Sequence, residues 1–358
     1  MHVPRHYAHS ETFRVGGVNR RILTLLAALV PVLVLGVLGT VFTVPFVALG
    51  PGPTFDTLGE YDGMPVVEVE GAELDPTTGH LNMTTVSVRD GLNLYEAFGF
   101  WASGKHGLVP RAEVYPPGVP REEIEQSNEQ EFRDSESSAE VAAMNYLKLP
   151  TAVLVRKIGE SSPANGVLEP GDEIVSVGGV AANSPGDVVR ETTSRAPGSP
   201  LTVVYRRDGV ERSSEFILGV NPQDATKGAL GVTIGTGARP PIEVSFNLAD
   251  IGGPSAGLMF SLALIDKLSP GELGGGAFVA GTGTIEPDGK VGPIGGIQYK
   301  MIAAREAGAQ TFLVPAANCT EAGQRIPEGL QLVKVETLDS AVASLAAISA
   351  GEEAPSCG

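Results

Sequence analysis

The stretch "GGPSAGLMFSLALIDKL", residues 252–268, runs from a glycine-rich turn into an apolar segment of helical length. Pro254 suits the first turn of a helix, so Ser255 is expected near the N-terminus of that helix. Unpaired N–H groups and the helix dipole favour developing negative charge there, and small neighbours such as Gly253 let a substrate backbone approach. The pattern indicates a nucleophile at Ser255, and a capping serine beside packing glycines is the alternative.

The base that would take the proton of Ser255 is not an obvious histidine. Of the five histidines, only His80 and His106 follow the apolar N-terminal segment, and both lie far upstream of Ser255. A Ser-His-Asp triad is therefore disfavoured. A lysine can replace the histidine when burial lowers its pKa.

The region after residue 250 contains four lysines that could serve as this base. They are Lys267, Lys290, Lys300 and Lys334. Lys300 differs from the others because it shares an i, i+3, i+4, i+7 helical face with apolar residues. That face consists of Ile297, Lys300, Met301 and Ala304. A lysine on a buried face is typical of a general base with a lowered pKa, and a snorkelling lysine is the alternative.

The segments around Ser255 and Lys300, "GGPSAG" and "GPIGGIQYK", together resemble the proteolytic domain of Lon-type proteases. The resemblance extends over about residues 230–348, where strand and helix patterns alternate as in an α/β domain. It implies a Ser/Lys dyad in which Ser255 is the nucleophile and Lys300 the general base. Thr282, in "VAGTGTI", falls where the family has a threonine that hydrogen-bonds the lysine.

The sequence departs from ATP-dependent Lon proteases in two places. Gly252 stands where they have an aspartate, and Thr284 where they often have a glutamate, although Asp250 is near in sequence. No ATPase module accompanies the dyad. Residues 99–106, "GFWASGKH", fit G-x-x-x-x-G-K but end in histidine, so nucleotide binding is not expected. We expect an ATP-independent enzyme without cofactor or metal.

Residues 149–220 form a β-rich unit in which "SSPANG" precedes "LEPGDEIVSVGG", and this order resembles a bacterial-type PDZ domain. The resemblance implies peptide binding by strand addition. We expect the added strand beside Thr151, Ala152, Val153 and Leu154. The preceding "KLPTA" lacks the usual glycine, and its proline has no N–H, which puts capture of a free C-terminus in doubt.

Residues 22–49 contain no charged side chain and are long enough for a membrane-spanning helix. A cleaved signal peptide is the alternative, but its apolar region would be only about 7–15 residues, and no clear cleavage site follows. Four arginines precede the run and acidic residues follow it. The positive-inside bias predicts that residues 1–21 are cytoplasmic and everything after the span extracytoplasmic.

The remaining composition bounds the partners. The net charge of −17 disfavours nucleic acid, because phosphate binding needs clustered basic side chains. An exported compartment permits a disulfide between the two cysteines, Cys319 and Cys357, with two free thiols as the alternative. Residues 50–148 read as an extracytoplasmic α/β region, and residues 349–358 as a C-terminal tail.

These features together predict a multi-domain α+β protein that resembles a membrane-anchored PDZ-domain Lon-like serine protease. We expect an endopeptidase that cleaves segments of exported or membrane proteins, with peptide or protein substrates and a homo-oligomer as a further expectation. A C-terminal-processing protease also joins a PDZ domain to a Ser/Lys dyad and is one alternative. A non-proteolytic PDZ/Lon-like scaffold at the membrane is the other.

Overall fold

A computed structural model describes residues 20–249 and 251–357, and side chains from Thr24 onward. Most of the predicted cytoplasmic segment 1–21, together with Asp250 and the last residue of the tail, lies outside the described residues. The helices are α1 Arg20–Val41, α2 Leu94–Ala102, α3 Arg111–Val114, α4 Arg121–Leu147, α5 Pro185–Thr193, α6 Gly257–Leu268, α7 Ile297–Ala307, α8 Cys319–Ala322 and α9 Leu338–Ser349.

The strands belong to two six-stranded sheets and several two-stranded ribbons. They are β1 Phe46–Asp56, β2 Glu60–Tyr61, β3 Met64–Pro65, β4 Val67–Glu70, β5 His80–Arg89, β6 Gly107–Pro110, β7 Thr151–Ile158, β8 Glu173–Val177, β9 Val180–Ala181, β10 Pro200–Arg207, β11 Val210–Ile217, β12 Gly219–Val220, β13 Gly228–Ala229, β14 Val232–Ala238, β15 Glu243–Phe246, β16 Phe278–Gly281, β17 Thr284–Ile285, β18 Val291–Gly292, β19 Thr311–Pro315 and β20 Gln331–Val335.

Helix α1 is shorter than the span predicted over residues 22–49. It ends at Val41, and β1 begins at Phe46 directly after Pro45. The last residues of the apolar run are therefore part of a sheet, where Val47 and Ala48 are fully buried. Pro45 has no N–H for a helical hydrogen bond and disfavours helical backbone at Val44, so the helix does not continue into residues 46–49. The 18 residues Thr24–Val41 remain long and apolar enough to be compatible with a membrane anchor.

The first sheet has the order β20-β19-β16-β5-β1-β6. Strands β5, β16, β19 and β20 are parallel, whereas β1 is antiparallel to both of its neighbours. Alternate side chains of β19 point to opposite faces, so Leu313 packs with α6 and α9, while Phe312 and Val314 pack with α7. Strands from residues 50–148 thus lie in the same sheet as strands from residues 230–348.

The second sheet has the order β11-β10-β8-β7-β14, with α5 packed beside β13 and β14. Strand β14 falls inside residues 230–348 but pairs along the length of β7, from Val232 opposite Ile158 to Ala238 opposite Thr151. Its Val232 and Ile234 side chains pack against the core of this sheet. The β-rich unit is therefore completed by a strand that follows it in sequence.

Helix α4 lies between the two sheets and contacts both α6 and β14. Its first half is largely exposed, as expected for its run of charged residues. Its second half carries small side chains into the core, including Ala139, Ala142 and Ala143. A single continuous helix therefore touches the core of the first sheet and the edge strand of the second.

Candidate active site

Ser255 lies near the N-terminus of α6, as predicted, in the loop that leads into the helix. The helix begins at Gly257, with Ala256 as its N-cap residue. Gly253 adopts a φ of +88°, a left-handed conformation that favours glycine, and this turn directs the chain toward the helix. Gly257 faces the side chains of Ile285 and Ser135, which would lie 2.6 and 2.9 Å from an added Cβ. The small residues around Ser255 thus serve both the turn and close packing.

Lys300 lies on α7, and its side chain extends from this helix to the hydroxyl of Ser255. Its Nζ lies 2.6 Å from Ser255 Oγ, 3.0 Å from Thr282 Oγ1 and 2.9 Å from the carbonyl oxygen of Thr84. The side chains that share its helical face, Ile297, Met301 and Ala304, are buried in the core between α7 and the sheet. The amphipathic pattern of α7 therefore carries one amine into the protein and holds it against Ser255.

The environment of Lys300 favours its neutral form. The side chain is 3% exposed, and burial lowers its pKa to about 7 because the ammonium form loses its hydration. No carboxylate hydrogen-bonds to Lys300 among the described residues; its partners there are two hydroxyls and one carbonyl. Near neutral pH, a substantial fraction of this amine can therefore accept a proton.

Thr282 is fully buried and connects the two members of the pair. The Thr282 hydroxyl donates its proton to the carbonyl oxygen of Ser255 at 3.1 Å. The hydroxyl oxygen, Thr282 Oγ1, can therefore accept a hydrogen bond from Lys300 Nζ. The backbone N–H of Gly283 donates to that carbonyl as well, at 3.0 Å. The strand end after β16 thus fixes the backbone of Ser255 and the amine of Lys300 together.

A cleft of about 600 Å³ opens over Ser255 and Lys300. Its walls come from β1, β5, α4, the loop before α6 and the loop before α7. Residues on these walls include Pro53, Thr85, Val86, Phe132, Ile251 and Ile294. A cleft of this size lined mostly by apolar and glycine residues can hold several residues of a peptide.

The backbone N–H groups beside the cleft differ in whether they already donate a hydrogen bond within the protein. The N–H of Gly253, expected to support the site, donates to the carbonyl oxygen of Asn128 on α4 at 2.9 Å. The N–H groups of Ser255 and Ala256 donate no hydrogen bond to any of the residues that the structure describes. In this arrangement, the latter two are the available donors for an oxyanion.

The other candidate bases lie away from the cleft. His80 is largely exposed and pairs with Asp56 at 2.6 Å, and His106 lies against Phe100. Lys290 and Lys334 pair with acidic neighbours. Of the lysines and histidines that the structure describes, Lys300 is the one that lines the cleft.

Several residues of the site had no signal in the sequence. Thr84 supplies its carbonyl to Lys300, and Ser135 of α4 donates to the carbonyl of Pro254 at 3.0 Å. Asn318 holds the cleft wall by bonding both the N–H and the carbonyl of Ile294, each at 2.9 Å. A polar residue in a loop, such as Asn318, could have been noted, but nothing in a single sequence links it to Ile294.

The edge expected to take a peptide strand is occupied by β14. Residues 151–154 pair with residues 235–238 of β14 in antiparallel register. A peptide therefore cannot add beside Thr151–Leu154 while this pairing persists, and β14 is the strand that ends the sheet. The sequence reasoning missed this because β14 reads equally well as the first strand of the following domain.

Cys319 and Cys357 form a disulfide with a Cα–Cα distance of 5.0 Å. The bond ties the C-terminal tail to the residue after Asn318, and Ser356 forms a β-bridge to Val333. Among the described residues, no three His, Cys, Asp or Glu side chains form a metal-binding group.

Comparisons with known proteins match both the region around Ser255 and Lys300 and the β-rich unit of the second sheet. The family model of the Lon protease C-terminal proteolytic domain matches residues 248–347, and that of the PDZ domain matches residues 128–218. The Lon protease of Haemophilus influenzae is 33% identical over 157 residues, which is 43% of this chain and 17% of that protein. The Lon protease of Escherichia coli K12 is 35% identical over 133 residues, or 37% of this chain and 14% of that protein.

Among solved structures, the PDZ domain of the SdrC-like protein from Listeria monocytogenes is 24% identical, with a TM-score of 0.22. The match covers 23% of this chain and 86% of that one. The chain spans less than a quarter of the length of the curated Lon proteases named above. The chain thus contains a Lon-type proteolytic domain, of the serine peptidase class, together with a PDZ domain.

Proposed function

We propose that this protein is an ATP-independent serine endopeptidase that uses a Ser255/Lys300 dyad. The observation that carries the proposal is the 2.6 Å separation of Lys300 Nζ and Ser255 Oγ at the floor of an open cleft. The lysine replaces the histidine base of other serine proteases, because its burial keeps a fraction of the amine neutral near pH 7.

The hydrogen bonds around Lys300 favour proton transfer from Ser255. A neutral amine has two N–H groups and one lone pair. The carbonyl of Thr84 can only accept, and the Thr282 hydroxyl already donates to Ser255, so these two oxygens take both N–H groups. The lone pair is then directed to the Ser255 hydroxyl, which donates to it.

The reaction would proceed through an acyl-enzyme. As Ser255 Oγ attacks the scissile carbonyl carbon, its proton passes to Lys300 Nζ, and the free N–H groups of Ser255 and Ala256 stabilise the oxyanion. Lys300 then returns the proton to the leaving amine, which releases the first product. Water, deprotonated by Lys300 Nζ, then attacks the ester carbonyl, and Lys300 returns this proton to Ser255 Oγ as the acyl C–O bond breaks and the acid product leaves.

We further propose that α1 anchors the enzyme in a membrane, with the catalytic domain on the extracytoplasmic side. The arginines at positions 5, 14, 20 and 21 precede the apolar helix, and acidic residues 56, 60 and 62 follow it. This charge distribution favours a cytoplasmic N-terminus. Substrates would then be extended or unfolded segments of exported or membrane proteins.

The PDZ domain would bind or deliver such segments at the edge of β14, the strand that ends its sheet beside α5. Antiparallel strand addition needs unpaired backbone groups, and the edge at Thr151–Leu154 no longer offers them. Amide chemical shifts on adding an unstructured peptide test this: changes should cluster at 232–235, because Ser137 of α4 already occupies the carbonyl of Thr236. Changes confined to 151–154 would contradict it.

Cleavage of an unfolded protein substrate by the purified full-length enzyme tests the dyad. We expect Ser255→Ala and Lys300→Ala each to abolish cleavage without added ATP. The matched controls are Ser213→Ala and Lys290→Ala, which alter exposed residues away from the cleft and should retain activity. Proteolysis that survives both dyad substitutions would refute the proposal, and a well-folded wild type with no activity would favour a binding scaffold.

A further inference from the structure

Helix α2 presents an unusual surface to its surroundings. Leu94, Tyr95, Phe98 and Trp101 are 54%, 52%, 62% and 64% exposed. At 100° per residue they fall on one arc, together with Gly99 and Ala102, and this arc carries no charge. The Phe98 and Trp101 rings contact each other, with centroids 5.8 Å apart. A contiguous exposed apolar patch of this kind marks an interaction surface.

This apolar patch lies beside α1, the helix proposed to span the membrane. The Tyr95 ring packs on α1 at Gly36 and Gly39, where a Cβ added at Gly39 would lie 2.9 Å from the ring. With a rise of about 1.5 Å per residue, this contact lies roughly 3 to 8 Å below the C-terminal end of α1 at Val41. If α1 spans the bilayer, α2 lies at the depth where the acyl chains meet the headgroups.

The chemistry of α2 fits that boundary. Tyrosine and tryptophan are enriched at membrane–water interfaces because each has an apolar ring and a polar group. The one acidic side chain of α2, Glu96, lies off the apolar arc and accepts from the backbone N–H of Asn93 in a capping box. On its other side, α2 buries Ala97 against the protein core. The helix therefore has one face for the protein and one for an apolar medium.

We propose that the apolar face of α2 inserts into the outer headgroup–acyl boundary of the membrane that α1 spans, and so docks the proteolytic domain on the bilayer. This inference rests on the proposed membrane anchor. A domain tied to the bilayer by α1 alone has one point of attachment, whereas α1 and α2 together give it two and so fix its orientation. The cleft residue Pro53 follows Phe46 by seven positions of β1, so the cleft would lie within about 25 Å of the bilayer surface.

The chain offers a direct probe, because Trp101 is its single tryptophan. The full-length protein is reconstituted in phosphatidylcholine vesicles with or without bromine on the acyl chains near the headgroup. We expect strong quenching of Trp101 by the brominated lipid and protection from aqueous iodide. The variant Leu94→Glu/Gly99→Glu should lose both effects, while Val210→Glu, at an exposed apolar site in the PDZ sheet, should behave as wild type.

The charged variant is expected to fold, because an acidic residue suits the first turn of a helix and glycine is a poor mid-helix residue. Its activity on a short soluble peptide should be unchanged. Vesicle flotation separates the two proposals. Protein that floats but leaves Trp101 open to iodide overturns the docking alone, as does a Trp101 shielded from iodide yet insensitive to bromine, which indicates a protein contact. Protein that does not float overturns the anchor and the docking together.

Discussion

At the residue scale, the sequence was enough to single out Lys300 as the candidate base. It was not enough to identify all of the groups that hydrogen-bond to Lys300. The spacing of Ile297, Met301 and Ala304 placed it on a buried face, and the structure has that face buried. The Thr84 carbonyl, by contrast, comes from a position 216 residues away in the chain. Backbone carbonyls leave no mark in a sequence, so contacts of this kind emerge only when the sheet is assembled.

The lowered pKa of Lys300 predicts how activity depends on pH. In the proposed mechanism Lys300 accepts the serine proton only when it is neutral, so kcat/KM should rise through a pH of about 7 and level off above it. The ammonium form that predominates below this pH cannot accept the serine proton. A peptide-hydrolysis profile measures this directly. A rate that stays flat through neutral pH would mean that another group, or no titrating base, controls the reaction.

Thr282 is predicted to be a positioning residue. Thr282→Val removes a hydroxyl that bonds both Ser255 and Lys300, and a lost hydrogen bond to a charged or reacting group costs roughly 1.5 to 3 kcal/mol. We therefore expect kcat to fall roughly 10- to 100-fold. Because the Lys300 ammonium would lose an acceptor, its pKa should fall, and the rise of activity with pH should move to lower pH. Thr282→Ser should restore most of the activity, and a Val variant with wild-type kcat and pH profile would exclude this role.

At the element scale, α4 connects the loop that carries Ser255 to the PDZ sheet. Ser135 donates to the carbonyl of Pro254, and Asn128 accepts from Gly253. Two residues after Ser135, Ser137 donates to the carbonyl of Thr236 in β14, and Glu140 accepts from the N–H of Ala238. Its sequence gave no sign of this role, because polar residues on a long helix read as a solvated face.

This arrangement predicts different effects for two neighbouring serines. Ser135→Ala frees the backbone of the loop that carries Ser255, so it should reduce kcat several-fold at a stability cost of about 1 kcal/mol. Ser137→Ala removes the same kind of bond from β14 instead and should leave kcat on a short peptide unchanged. Thermal unfolding and kinetics of both variants give the comparison. Equal losses of kcat would indicate that α4 acts only through general stability.

At the scale of the whole molecule, sequence patterns identified the elements better than their partners. An α/β region over residues 50–148 and a β-rich unit over 149–220 were expected, yet β5 joins the first sheet across the whole PDZ segment, and β14 completes the PDZ sheet from beyond it. Both pairings are long-range and depend on which edges remain open after folding. An apolar run such as residues 22–49 has a related ambiguity, since membrane and protein core select the same side chains.

The disulfide should contribute to stability but not directly to chemistry. It links positions separated by 38 residues and closes a loop around β20 and α9. Cross-linking a loop of this length stabilises a fold by about 2–4 kcal/mol. The Cys319→Ser/Cys357→Ser variant should therefore unfold at a lower temperature while retaining kcat at low temperature, as checked by calorimetry and peptide hydrolysis. An unchanged Tm would show that the tail adds no stability.

The proposed dyad is tested most directly by covalent labelling with a fluorophosphonate, which shows both the residue that reacts and whether its reaction depends on Lys300. The reagent is added to the full-length protein, and peptide mass spectrometry locates the adduct. The Ser255/Lys300 dyad predicts one adduct, on Ser255, formed by wild type and absent from Lys300→Met, with Lys290→Met labelled as wild type. Labelling of another residue, or of Ser255 at an unchanged rate without Lys300, would contradict a Ser/Lys dyad.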